Sequence, residues 1–467
     1  MTTAAQEPNR HISCLRIIGG AYKATSGPAL DVELHLLPVE HQIWKTSAGT
    51  VSRILSADKM PALAGFQLLR TTRSRWRKEP YLSPLEHTYR RLRQRRGASI
   101  EDQEVIPPFL VPPWWQAPIV RIASCAETAR TQHKEFLKHP SNSLFVYTDG
   151  SGINNHVGAA AVSPLTRCTK LAHMGDSETS TVYAAELQGI RLALQIADED
   201  AERGNKRDRL IIFTDNQAAI RTFQNPTGRS GAYIVANAIQ LIDKLQGERG
   251  IRVEIRWVPA HTGIWGNEAA DRAAKRAAKP NAGAGQRNEN TIQTRTYHLQ
   301  ATLKTWVKRQ TRAEWINSWK AEARGRTTFK HTPQPSHKVL RLHHGLKKWQ
   351  SALLIQMRTE KIGLRDFLWK RRVPEVDDPG CDCGEGRQTV DHIFLRCRTY
   401  NDVRRRVFGR GGRIDLRAIL NEPKLVTKAI RFMERTRLLG QFRSCDAVQR
   451  DEVEHWGETE GMGTRDG

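Results

Sequence analysis

Residues 144–151 read Leu144-Phe145-Val146-Tyr147-Thr148-Asp149-Gly150-Ser151, an apolar and β-branched run that meets a carboxylate and then a glycine. A short run of this kind, closed by a turn residue, is the pattern of a buried strand. A strand is therefore expected over 144–149, with Asp149 at its carboxyl end. Further strands are expected at 156–163, 168–174, 210–214 and 251–257. A helix is expected at about 178–197, where Tyr183, Leu187, Ile190 and Leu194 recur every three or four residues. Others are expected near 216–224, 231–246 and 267–279. Three successive strands followed by alternating helices and strands imply an α/β fold, a mixed five-stranded sheet with helices on both faces.

Four carboxylates in this segment stand where a metal site would want them: Asp149, Glu186, Asp215 and Asp271. Open α/β sheets collect active groups beyond the carboxyl ends of parallel strands. Asp149 and Asp215 each close a strand, so adjacent parallel pairing would bring them within a few ångströms. Glu186 on the first helix and Asp271 on the last can reach the same edge, and the small Ala184 and Ala185 leave room beside the sheet. Crowded carboxylates resist ionisation unless cations neutralise them. Oxygen-only ligands favour a hard ion, Mg²⁺ or alternatively Mn²⁺. Two such ions roughly 4 Å apart can activate water, stabilise a phosphoryl centre and relieve charge on a leaving oxygen, with Asp149 as the bridging ligand. Ser151 and Asn216 are candidates to orient phosphate or metal-bound water. His261, in Pro259-Ala260-His261-Thr262-Gly263, is a candidate proton carrier for the leaving group.

Singly these residues say little, because a strand-end aspartate is more often a turn or capping residue. The ordered set is more specific: Tyr147-Thr148-Asp149-Gly150-Ser151, Tyr183-Ala184-Ala185-Glu186-Leu187, Phe213-Thr214-Asp215-Asn216, Trp257-Val258-Pro259-Ala260-His261-Thr262-Gly263 and Gly266-Asn267-Glu268-Ala269-Ala270-Asp271. It resembles type 1 ribonuclease H, in the version carried by fungal non-LTR retrotransposon polyproteins. The resemblance implies that the four acidic residues are metal ligands, that His261 assists turnover, and that the substrate is an RNA–DNA hybrid whose RNA strand is told apart by its 2′-hydroxyls. Ala218–Gly250 is short and not especially basic, so the basic protruding helix of some cellular members is not expected here.

The charge distribution points the same way. The 467-residue chain carries a net charge of +25, which favours a polyanionic partner. Residues 141–280 hold 12 Arg and 5 Lys against 8 Asp and 7 Glu, a net of +2, so the remaining +23 lies in the flanks. The flanks are thus placed to grip template RNA or target DNA, with strong salt dependence. Seven scattered cysteines do not make a secreted disulfide framework. No apolar run approaches the roughly 18 residues of a membrane span, and the N-terminus lacks the order of a secretory signal. A soluble intracellular protein of the nucleus or cytoplasm is expected; oligomeric state is not legible.

Seven segments are expected along the chain. Residues 1–106 form a helical region including Arg70, Arg73, Arg75, Arg77, Lys78 and Arg90–Arg96. Residues 107–140 are a linker and lead-in, with five prolines and two tryptophans between Pro107 and Pro118. The nuclease-like segment occupies 141–280, a Pro/Gly/Ala-rich linker 281–294, a basic Trp-rich helical region 295–372, a Cys/His group with basic helices 373–440, and a polar tail 441–467. Gly19-Gly20-Ala21-Tyr22-Lys23-Ala24-Thr25 and Ala29-Leu30-Asp31-Val32-Glu33 resemble the region between reverse transcriptase and ribonuclease H in the same elements. The first 140 residues show no strand-turn-strand with paired aspartates, so no polymerase activity is expected, as for the tail of a truncated element.

Cys381, Cys383, His392 and Cys397 follow the spacing C-x-C-x8-H-x4-C. Three thiols and an imidazole suit a tetrahedral structural Zn²⁺ ion, with Gly384 and Gly386 permitting the turn. The resemblance supports the group, since related elements carry a similar one near their C-terminus. Arg396, Arg398 and Arg404–Arg406 beside it are either a nucleic-acid surface or a solvated helix face. Trp306, Trp315, Trp319, Trp349 and Trp369 are at helical spacing, which favours core packing over base stacking. The competing functions are a catalytically silent nucleic-acid-binding remnant, a polynucleotidyl transferase on the same fold, and a housekeeping ribonuclease H.

Overall fold

The computed structural model describes residues 6–57, 60–71, 83–138, 142–279, 296–409 and 415–445. Arg73, Arg75, Arg77 and Lys78, the 281–294 linker and most of the expected polar tail lie outside these ranges. The chain divides into two compact units, one of residues 44–310 and the other of 1–43 with 311–467.

The 44–310 unit is built on one sheet. Its strands are β1 Ile119–Arg121, β2 Ser143–Ile153, β3 His156–Ser163, β4 Cys168–Asp176, β5 Arg209–Thr214 and β6 Arg252–Trp257, in the order β1-β6-β5-β2-β3-β4. β2, β5, β6 and β1 run parallel, while β2-β3-β4 is an antiparallel meander. The helices of the 126–279 stretch around it are α1 Ala126–Lys138, α2 Val182–Glu202, α3 Gln217–Gln224, α4 Ala232–Asp243 and α5 Trp265–Ala277. Alternation along β2 sends Leu144 and Val146 into one core with α2, α3 and α4, and Phe145 and Tyr147 into a second with α5. The sheet is therefore covered on both faces.

Two expectations are corrected. The sheet has six strands among the described residues, because Ile119–Arg121 adds to β6; three residues are too few to show an alternation in sequence. β2 also continues to Ile153, so Asp149 lies within the strand, paired with Ala160, and does not end it. Gly150 and Gly152 look like strand breakers. Here they are required by close approach: a Cβ on Gly150 would lie 2.5 Å from the Glu186 backbone nitrogen, and one on Gly152 2.9 Å from the Val182 side chain.

The Pro-rich lead lacks regular structure, but it is fastened to this unit. Leu110, Val111 and Trp115 pack on the α2–α4 core, and Trp115 Nε1 donates to Asp243 at 2.9 Å. Buried Glu104 accepts from the backbone nitrogens of Gly231 (2.6 Å) and Gln300 (2.8 Å). The helix Pro84–Arg96 opens with a Ser83/Glu86 capping box. Its Tyr89 and Leu92 share a core with Trp44, Val51 and Trp306.

The second unit is helical among its described residues. One core joins the Cys/His region to the helices Lys348–Thr359 and Pro423–Thr436. Arg358 and Glu33, both wholly buried, pair at 2.7 Å, and Arg358 also donates to Leu420 O, Asn421 and Thr332. Trp315 and Trp319 pack with Ala29 and Val32, and Trp349 packs on the Cys/His core, as expected of core residues. Trp369 is exposed, with Arg387 over its ring. No helix among the described residues is long and apolar enough to cross a membrane.

Candidate active site

Parallel pairing of β2 with β5 holds Thr148 opposite Thr214, so Asp149 and Asp215 leave the paired register together. Thr181 caps α2 through the Ala184 nitrogen (3.2 Å) and fixes the start of the helix. Its second turn brings Glu186 to the same edge. One oxygen each from Asp149, Glu186 and Asp215 lie within 4.8 Å of one another.

Asp271, on α5, is not in that group of three. Its Oδ2 accepts from Lys275 Nζ at 2.7 Å, yet it is near enough to raise the pKa of Asp149. Ser151 is half-buried two residues along β2 from Asp149. Asn216 is already engaged: its Oδ1 caps α3 by accepting from the Ala219 nitrogen (3.0 Å), and its side chain favours the ionised form of Glu186. His261 is exposed, at φ +52°. Its charge favours the ionised form of Asp215. The loop around it is pinned by Thr262 Oγ1 donating to Pro259 O (3.0 Å) and the Gly263 nitrogen donating to Glu268 (3.1 Å).

Burial is the main cause of the site's electrostatics, and neighbouring carboxylates add to it. Glu186 is pushed up to about 9 by desolvation and then by Asp149 and Asp215. Asp149 is pushed up to about 7 by desolvation, Asp215 and Asp271. Asp215 is also raised, chiefly by burial, against a hydrogen bond from Asn267 Nδ2 at 3.3 Å. Glu186 Oε2 and Asn267 Oδ1 are buried without a hydrogen-bond partner. An all-oxygen donor set, held close and resisting ionisation, with a buried carboxylate oxygen left over, fits divalent cations. Asn267 and Lys275 were missed as participants in the sequence, although Asn267 sits inside the Gly266–Asp271 motif.

Residues 141–279 match the family model for RNase H. The fold and this acidic cluster agree: the segment is a ribonuclease H domain with the cluster of a metal-dependent nuclease active site. The Pol polyprotein of equine infectious anemia virus (strain Wyoming) is 33% identical over 142 residues, which cover 30% of this chain and 11% of that polyprotein. The chain thus spans about a tenth of that relative's length. Among solved structures, RNase H1 from the archaeon Halobacterium salinarum NRC-1 is 21% identical, covering 29% of this chain and 96% of that one, with a TM-score of 0.22. LC11-RNase H1, isolated from compost by a metagenomic approach, is 18% identical over 30% of this chain and 99% of its own, with a TM-score of 0.23. A foamy viral protease-reverse transcriptase, solved in complex with an RNA/DNA hybrid, is 17% identical over 29% of this chain and 20% of its own, with a TM-score of 0.22.

The other group of converging donor atoms lies in the second unit. Donor atoms of Cys381, Cys383, His392 and Cys397 lie within 4.8 Å of one another, all four residues buried. Cys381 Sγ is 3.7 Å from Cys397 Sγ, and Cys383 Sγ is 3.2 Å from His392 Nε2. Gly384 at φ +78° and Gly386 at φ +140° make the turn, as their lack of a Cβ allows. Thr389 caps the short helix that carries His392, donating no proton but accepting from the His392 nitrogen. Arg404 donates to Ile393 O, Phe394 O and Cys397 O, so this arginine braces the group from within. The donor set is that of a structural zinc site.

Proposed function

We propose that the ribonuclease H domain hydrolyses the RNA strand of RNA–DNA hybrids by two-metal-ion catalysis, within a retrotransposon polyprotein of the fungal non-LTR kind. The observation that carries the reading is the convergence of Asp149, Glu186 and Asp215 on one sheet edge with Glu186 Oε2 unpartnered. Asp149, Glu186 and Asp215 would hold two Mg²⁺ ions, or Mn²⁺, with Asp271 completing the set. Such ions supply an activated water and charge stabilisation at phosphorus.

The chain's own residues do the rest. Asn267 holds Asp215 in place through a side-chain hydrogen bond, and Asn216 favours the ionised form of Glu186. Ser151, beside Asp149, orients the scissile phosphate. His261 moves a proton at the leaving oxygen, and its exposed loop lets product exchange. Like-charged carboxylates crowded in a buried site disfavour the empty ionised state, which couples occupancy to activity. Template RNA or target DNA would be gripped by the basic flanks, in the nucleus or the cytoplasm.

The test is cleavage of a strand-labelled RNA–DNA hybrid with Mg²⁺ by purified protein, beside Asp215→Asn protein and matched single-stranded RNA and duplex DNA. Hybrid-dependent RNA cleavage lost in the variant is expected. Folded protein without cleavage would replace this reading with that of a nucleic-acid-binding remnant.

A further inference from the structure

The helix Pro423–Thr436 has two sharply different faces. Val426, Ala429, Ile430, Phe432 and Met433 are buried in the core that also holds Cys381, Cys383 and Cys397. Lys424, Lys428, Arg431 and Arg435 are exposed. Their spacing of four, three and four residues places them within about 60° of arc on one side of the helix, in a row about 16 Å long.

None of the four has an ion-pair partner among the described residues. Some other surface cations are paired: Lys244 with Asp198, Arg324 with Glu322 and Lys370 with Asp366. Glu434, the acidic residue within this helix, sits about 90° round from the row. Four like charges on one rigid face repel one another, and a polyanion relieves that repulsion. The row contains no aromatic side chain, so what it offers is charge, not a surface for stacking bases.

We propose that this ridge docks the phosphate backbone of a nucleic-acid duplex, without regard to sequence. The choice of an RNA–DNA hybrid as that duplex rests on the proposed nuclease function. Cations on a helix anchored by the Cys/His core hold a fixed spacing, so neutralising a phosphate does not require ordering a flexible tail.

The test uses full-length Asp215→Asn protein, a short fluorescent hybrid and anisotropy titrations between about 50 and 200 mM salt. Each ridge cation exchanged for glutamine lowers the slope of log K against log salt by about 0.9, so the Lys424→Gln/Lys428→Gln/Arg431→Gln/Arg435→Gln protein loses about 3 to 4 of it. Arg431→Lys/Arg435→Lys keeps the parent slope. Should the fourfold variant not fold, as judged by circular dichroism and zinc content, Lys428→Gln/Arg431→Gln gives the same reading at a loss of about 2. Equal slopes in parent and folded variants, or no hybrid binding by the parent, overturn the proposal. A ridge-dependent slope, together with absence of hybrid cleavage by folded protein that retains Asp215, supports the ridge and sinks only the nuclease reading.

Discussion

Gly150 lies against Glu186 so closely that a methyl group in place of its hydrogen would come within 2.5 Å of the Glu186 backbone nitrogen. Two carboxylates thereby depend on a residue with no functional group. The glycine lets α2 settle on β2, and that contact sets the distance between Asp149 and Glu186.

Gly150→Ala should therefore push α2 off the strand. Overpacking of this kind costs about 1–3 kcal/mol, and the displacement falls directly on the Glu186 carboxylate. Thermal unfolding should come earlier, and hybrid cleavage should drop by more than the loss of folded protein explains. Normal cleavage per folded molecule would show that the helix accommodates the methyl without moving Glu186.

The raised carboxyls predict a pH dependence of stability. Glu186 and Asp149 titrate at about 9 and about 7 in the magnesium-free fold, against 4.5 and 3.8 as unperturbed groups. Between those limits the native state holds protons the unfolded chain has lost, so their contribution to stability falls as pH rises. In magnesium-free buffer, Glu186→Gln protein should be more stable than the parent at pH 8, with the gap closing toward pH 4. Denaturant titrations at both pH values measure it; a gap that widens on acidification contradicts the burial of that carboxyl.

Lys275 would compete with a divalent cation for Asp271 under the proposed function, its Nζ lying 2.7 Å from Oδ2. Lys275→Gln removes that competitor. Exposed pairs are worth less than about 1 kcal/mol, so a tightening of divalent-ion binding of about two- to fivefold is expected from calorimetry. Half-maximal cleavage should shift to lower Mg²⁺ concentration by a similar factor. Weaker ion binding would mean that Lys275 positions Asp271 for the ion.

Arg358 and Glu33 predict a large effect at a pair that the proposed chemistry does not use. Removing one partner of a wholly buried pair costs about 3–5 kcal/mol, because the other charge is left unpaired. Arg358→Ala should lower the unfolding midpoint of the helical unit, and Glu33→Gln should cost less, since the amide can still accept from the guanidinium. Equal stability of Arg358→Ala and the parent would mean that water replaces the lost partner.

The site was legible where chemistry and local pattern coincide. Asp149, Glu186 and Asp215 stand in short apolar or helical contexts whose period shows in the sequence, and parallel pairing of β2 with β5 was implied by the alternation that follows. Asp271 stands outside the closest group of three, and Lys275, one helical turn on, pairs with its oxygen. Local pattern does not reveal which of several neighbours a carboxylate chooses. Strand β1 and the fastening of Trp115 to Asp243 were illegible for a different reason: their partners stand more than a hundred residues away. The Cys/His spacing showed which four donors converge, but Arg404, which reads as one more surface arginine, is turned inward to three carbonyls.

The helical unit is assembled from residues 1–43 and 311–467, with 267 residues of the other unit between them. Glu33 leaves the ribosome long before Arg358. At about 5–20 residues per second the interval is on the order of tens of seconds, ample for the intervening sheet to form first. The early segment must wait with its carboxylate and the apolar faces of Ala29 and Val32 exposed, and during synthesis it offers a chaperone a place to act.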